Sequence, residues 1–93
     1  MINYIYEADR NRVAAYLQDG TKIGETTHIN RNGVWIANHT YVNPAHRGKN
    51  IAGNMLELLI ETAREKKHKI KPFCPYIIRA MQGKEEYADI LAD

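Results

Sequence analysis

Cysteine is nearly absent from this sequence. Cys74 stands alone and cannot close an internal disulfide, and with the four histidines it makes no spaced zinc-ligand set. A disulfide-stapled secreted scaffold is therefore excluded. No apolar run approaches the ~18 residues that a membrane-spanning helix requires. The opening residues carry charge by Glu7 and lack the basic-then-apolar pattern of a secretory leader. These absences point to a cytoplasmic protein. Repeats, linkers and low-complexity tracts are missing too, and the glycine spacings of the P-loop and of the dinucleotide fingerprint do not occur.

What is present is ordinary globular composition, 44% apolar and 26% charged over 93 residues. A chain of this size buries about 60–65% of its extended surface, enough for one core. The net charge is only +2, but it is unevenly placed. Residues 1–45 carry four basic and four acidic side chains, residues 46–72 seven basic and three acidic, and residues 73–93 two basic and four acidic. A locally positive middle suits a small phosphate-bearing ligand better than a long nucleic acid, which needs a larger footprint.

Residues 2–7, 12–17 and 22–29 read as strands, with Asp19-Gly20 a hairpin signal and 30–33 (Asn-Arg-Asn-Gly) a second turn. The best strand is 34–42. Strict alternation puts Val34, Ile36, Asn38, Thr40 and Val42 on one face and Trp35, Ala37, His39 and Tyr41 on the other. Polar side chains on both faces near its end mark 38–41 as a functional segment. Residues 43–50 form a loop braked by Pro44. From Ile51 the period changes: Ala52, Met55, Leu56, Leu59, Ile60 and Ala63 make one helical stripe, predicting a helix to about Lys67, roughly 25 Å long. A short strand starts near Ile70, a second helix opens at Pro75 and runs to Met81, and beyond Gly83 residues 84–91 read as a last helical piece. The expected class is α/β (α+β). The order is β-β-β-β-α-β-α, an antiparallel meander followed by a βαβ crossover.

The strongest chemical signal is the run from Val42 to Ala52, a strand, a glycine-containing basic loop and then a helix. The first N–H groups of a helix have no internal partner and lie at the positive end of its dipole, so they can hold an anion. Arg47 and Lys49 add charge. The plainer alternative is an ordinary helix entry behind a solvated loop.

The run His39-Thr40-Tyr41-Val42, followed by Pro44, Arg47-Gly48 and Ile51-Ala52, resembles motif A of the GNAT acetyltransferase superfamily. More narrowly, the chain is similar to a GNAT-like subfamily of roughly ninety residues. Its members share a His-Thr-x-Val strand, a helix ending near Ala-Arg, a Lys-Ile/Val-x-Pro-x-Cys strand and a C-terminal Glu-Tyr-x-Asp. The counterparts here are residues 39–42, Ala63-Arg64, residues 69–74 and Glu86-Tyr87-Ala88-Asp89. The resemblance implies one GNAT-like domain over residues 1–93, with an acyl-CoA N-acyltransferase fold and a mixed, mainly antiparallel sheet. It implies acetyl-CoA as cosubstrate, with Arg47, Gly48, Lys49, Asn50, Ile51 and Ala52 at the pyrophosphate, and Thr40, Tyr41 and Val42 along the pantetheine. The chain departs from the motif at Asn50, where relatives carry glycine; asparagine is the residue next most willing to adopt positive φ.

The same resemblance brings three catalytic candidates forward. Cys74 is either a buried small hydrophobe or a thiol beside the acetyl thioester. His39 is either a hydrogen-bonded rim residue or a general base, and its pairing with Cys74 across neighbouring strands is an expectation that opposite sheet faces would end. Tyr76 is either packing or the proton donor to the leaving thiolate. Three functions stay open: acetyl transfer to an unidentified amine, directly or through acetyl-Cys74; a non-catalytic acetyl-CoA-binding module; or a nucleic-acid-binding domain using the basic run 64–71, against which the −2 tail argues. No membrane or metal is expected, the acceptor pocket is open or completed by a partner, and an exposed sheet edge leaves monomer and homodimer both available.

Overall fold

A computed structural model describes residues 1–92. Five strands form one sheet in the order β1 (Asn3–Glu7), β2 (Arg12–Tyr16), β3 (Lys22–Arg31), β4 (Val34–Val42), β5 (Lys69–Pro72). The first four are successive antiparallel hairpin partners, and β5 lies parallel to β4. Parallel neighbours need a crossover, and helix α1 (Ile51–Glu65) supplies it. A shorter helix, α2 (Pro75–Met81), follows β5 with proline in its first turn. The β3–β4 turn uses Asn32 (φ 52°) and Gly33 (φ 84°), the paired positive-φ positions that a tight hairpin demands.

Both helices pack on the same face of the sheet. Met55, Leu59, Ile60 and Ala63 of α1 and Ile77 and Met81 of α2 share one buried cluster with Val13, Ala15, Ile23, Trp35, Ala37 and Ile70 of the strands. The opposite face carries no helix among the described residues, and Ile5, Ile29 and Phe73 are exposed there.

Three expectations are corrected. Residues 84–91 do not make a helix: a 3-10 turn covers Glu85–Tyr87, after which Leu91 bridges Ile70 in parallel and the backbone completes the open edge of β5. Ile70 donates to the Ile90 carbonyl at 2.7 Å and accepts from Ala92 at 2.8 Å. Pairing an open edge and burying Ile90 outweighs the helical tendency of a short segment that begins after Gly83. The helix α1 stops at Glu65, two residues short of Lys67. Lys67 takes a left-handed conformation (φ 61°), and His68 N–H reaches back to the Ala63 carbonyl at 2.9 Å, closing the end as a Schellman motif.

The third correction concerns β4 itself. Its register against β3 shifts between Thr27 and His28: Thr27 faces His39, whereas His28 faces Ala37. Asn38 is the extra residue of a β-bulge, and Thr27 Oγ1 donates to its Oδ1 at 2.6 Å. Strict alternation therefore fails at Asn38. Before it, odd-numbered Trp35 and Ala37 face the core; after it, even-numbered Thr40 and Val42 do, and His39 and Tyr41 turn to the bare face.

Candidate functional site

Beyond Ala37 and Pro72 the strands β4 and β5 no longer pair. The Ala37 carbonyl instead accepts N–H bonds from both Phe73 and Cys74, each at 3.0 Å, and the chain swings away into α2. The far end of β4 thus keeps β3 on one side and has no strand on the other. A cleft of about 290 Å³ opens there, lined by Thr40, Val42, His46, Arg47, Gly48, Ile51, Ala52 and Tyr76. It is at the small end of ligand-binding cavities.

The local sequence explains the shape. Pro44 and an Asn43 side chain that accepts from Ala45 N–H at 2.9 Å set a 3-10 turn over Pro44–His46. Gly48 (φ 87°) and Asn50 (φ 57°, ψ 31°) then bend the chain into α1 through the left-handed region. Asn50 takes that conformation where the resembling family has glycine, so the departure from the motif leaves the loop path intact. Its side chain makes no cap bond to the helix, and the first backbone bond of α1 is from Asn54 N–H to the Asn50 carbonyl at 3.0 Å. The donors of the first turn have no partner within the helix. A Cβ at Gly53 would meet Asn50 Oδ1 and displace that exposed side chain. The helix end is tied to β1 by Asn54 Nδ2, which donates to Tyr4 Oη at 3.1 Å.

The electrostatics favour an anion. No carboxylate lines the cleft, and neither Arg47 nor Lys49 has an ion-pair partner among the described residues. His46 was not singled out from the sequence, although it sits inside the loop that was. Its Nδ1 is buried without a hydrogen-bond partner, a polar atom with capacity to spare at the cleft wall.

Among the residues expected at the site, Thr40, Val42, Arg47, Gly48, Ile51, Ala52 and Tyr76 are brought together in this cleft. Lys49 and Asn50 are exposed on the loop beside it, and Tyr41 points to the bare face. Cys74 is not on a strand; it is the residue before α2, and it is 9% exposed within the apolar cluster. His39 lies on the other side of the sheet, with Nε2 3.5 Å from Glu25 Oε2. The expected His39–Cys74 pairing does not form, because the bulge at Asn38 turns His39 away from the core that holds the thiol. Glu25 is half-buried, is held below the usual carboxylate range chiefly by Lys22 and also binds Arg12.

The basic run 64–71 is at the far end of α1. Arg64 grips Asp89 through two nitrogens, at 2.9 and 3.1 Å, and Lys69 Nζ donates to the Asp89 carbonyl, so part of this charge is spent inside the molecule. No helix among the described residues is long and apolar enough to cross a membrane.

Comparison with known proteins matches this arrangement. The family model for GCN5-related N-acetyl-transferases aligns with residues 12–90. Among solved structures, a GCN5-like protein from Staphylococcus aureus superposes with a TM-score of 0.73 at 20% identity, covering 99% of this chain and 87% of that one. A Klebsiella pneumoniae protein assigned to the acyl-CoA N-acyltransferases gives a TM-score of 0.60 at 16% identity over 75% of this chain and 68% of its own. The ribosomal-protein-alanine N-acetyltransferase of Brucella melitensis gives 0.58 at 26% identity; 88% of this chain covers 61% of that enzyme, less than two thirds of its length. No curated protein sequence matches the chain. The family match spans most of the chain and includes the loop, the free end of β4 and both helices, and so the chain belongs to the GCN5-related N-acetyltransferase family.

Proposed function

We propose that the protein transfers an acetyl group from acetyl-CoA directly to an amine. The observation that carries the reading is the coincidence, in one acid-free cleft, of the open α1 N-terminus, the Gly48–Asn50 bend and an unpaired end of β4. The chemistry acetyl-CoA supplies is an activated thioester: the amine nitrogen bonds to the acetyl carbon, the carbon–sulfur bond breaks, and coenzyme A leaves as a thiol. The chain's own residues bind and orient. Main-chain N–H groups from Gly48 to Ala52, with Arg47 and Lys49 nearby, hold the pyrophosphate. The free edge of β4 from Thr40 to Val42, with Tyr41 between them, offers backbone groups to the amides of the pantetheine arm, as an added strand would.

Tyr76 reaches the cleft from α2 and is the donor for the departing sulfur. His39 takes the proton of the amine from the other side of the strand, with Glu25 orienting its ring. Cys74, buried in the core, supports no covalent relay in this scheme.

Calorimetric titration with acetyl-CoA, compared with free coenzyme A, tests the binding step, and mass spectrometry of the acetyl-CoA-treated protein tests the route. Saturable binding without an acetyl adduct on Cys74, and a Cys74→Ala protein that still transfers acetyl, are expected. An adduct that an amine discharges would replace direct attack by the Cys74 relay. Binding with no transfer to any amine would leave the non-catalytic acetyl-CoA module.

A further inference from the structure

The bare face of the sheet holds a second cavity, of about 350 Å³, lined by Ile29, Arg31, Ile36, Asn38, Lys71 and Phe73. Ile29 and Ile36 are register partners on β3 and β4. Ile29 is 44% exposed and Phe73, just past β5, is 66% exposed. A small protein gains nothing in stability from leaving this much apolar side chain in water, and such patches mark binding surfaces. The cavity also abuts the reaction centre described above. Asn38 is the bulge residue next to His39, and Phe73 donates its N–H to the Ala37 carbonyl where β4 and β5 part.

Resting on the acetyl-transfer reading, we propose that this cavity binds the acceptor. We further propose that the acceptor is a peptide segment with an apolar side chain flanked by carboxylates. The apolar side chain packs between Ile29, Ile36 and Phe73, and the carboxylates meet Arg31 and Lys71. Among the described residues those two are the only charged side chains lining the cavity, and neither has an ion-pair partner. Charge selects among the occupants. A polyamine would be repelled by both cations. A second copy docking this face on itself about a two-fold axis would bring cations against cations. An acidic, apolar peptide satisfies all six lining residues, and a lysine or N-terminal amine in it reaches the Asn38–His39 bulge.

The test uses a short peptide with one lysine and a leucine between two aspartates, two control peptides (leucine to serine; aspartates to lysines), and spermidine. Acetylation by the full chain should favour the parent peptide over the serine control by about tenfold or more in kcat/KM, the effect of burying one leucine-sized side chain. It should also favour the parent over the lysine-flanked control and spermidine, through the charges of Arg31 and Lys71. Phe73→Ser should raise KM for the parent peptide by a similar factor, and Lys71→Glu should shift the preference toward the lysine-flanked control. Peptide titration followed through the amide resonances of Ile29, Ile36 and Phe73 reads docking independently of acetyl-CoA. Spermidine preferred, or both variants acetylating the parent peptide normally, overturns the proposal while acetyl transfer stands. Peptide-dependent resonance shifts in a protein that does not bind acetyl-CoA keep the docking surface and remove the transfer reading; neither signal removes both. A dimer in sedimentation that Phe73→Ser dissociates assigns the face to a second copy instead.

Discussion

The two ends of α1 are built from the same materials to opposite effect. At the C-terminal end the backbone is closed. The Schellman turn at Lys67 satisfies the last carbonyls, His68 Nδ1 bonds the Gly33 carbonyl at 2.9 Å, and four rings stack beneath: Tyr6, His28, Trp35 and His68. At the N-terminal end the donors of the first turn are free, β4 has lost its partner strand, and a basic loop surrounds a cleft. One strand passes through both regions. Val34–Ala37 is paired on each side and buries Trp35 to 3% exposure; the segment after the Asn38 bulge is paired on one side only. The difference shows how a small chain separates its tasks. At the closed end the last helix carbonyls and the His68 ring are bonded within the molecule, with His28 Nδ1 the exception, whereas at the open end the first-turn donors have no partner in the helix.

Removing the closed end's largest side chain should have the largest effect. Trp35→Ala should destabilise the fold by about 3–5 kcal/mol in denaturant unfolding, a large share of the whole for a domain this size. A loss under about 1 kcal/mol would show that the stack is not the stability centre.

Acid should loosen the same end next. Burial, with the His68 charge as a smaller cause, pushes the His28 pKa down to about 4 from 6.5. Its Nε2 is bonded to Tyr6 Oη at 2.9 Å and its Nδ1 has no partner, so a second ring proton would be stranded. The unfolded chain therefore binds this proton more readily than the folded one. The stabilisation is complete above about pH 6.5 and is lost as pH falls toward 4, by at most about 3 kcal/mol. Glu7 and Glu25, whose pKa values are lowered, add losses only below about 4.5, so pH 5–6.5 reads His28. Urea midpoints across that window should fall with pH, and His28→Phe should flatten the slope. An equal slope in the variant would assign it elsewhere.

The smallest expected effect is the most direct comparison of the two ends, since each carries a non-glycine residue at left-handed φ. Lys67→Gly should stabilise the fold by up to about 1 kcal/mol and leave acetyl-CoA binding unchanged. Asn50→Gly should change stability by a similar or smaller amount and alter acetyl-CoA affinity by a few-fold, because only that residue shapes the loop. If the two substitutions act alike on binding, the division of tasks between the ends fails.

Much of this was legible in the chain. The turn at Asn32-Gly33, the alternation of Val34–Ala37, the 3.6-residue stripe of α1 and the loop-to-helix path from Arg47 to Ala52 all follow from local preferences, and each formed as read. The hidden parts depend on neighbours distant in sequence. The alternation of β4 gives no sign that Asn38 is an extra residue, because a bulge is defined by what lies opposite it, here Thr27. That one insertion separates His39 from Cys74 and brings His39 to Glu25, so a wrong facing spread to the whole catalytic pairing. Residues 84–91 misled for a similar reason. Their fate was settled by an open strand edge at Ile70, which no local pattern records.

The sequence by itself determined the element order, the position of the basic loop before α1 and the family signature, because turn chemistry, periodicity and helix-end donors act over a few neighbouring residues. Only the tertiary structure decided which face each side chain of β4 presents, that β4 and β5 part after Ala37, and that one sheet face stays bare beside the cleft. Those outcomes come from pairing and burial between segments far apart in the chain, where a single-residue shift in register changes the face of everything beyond it.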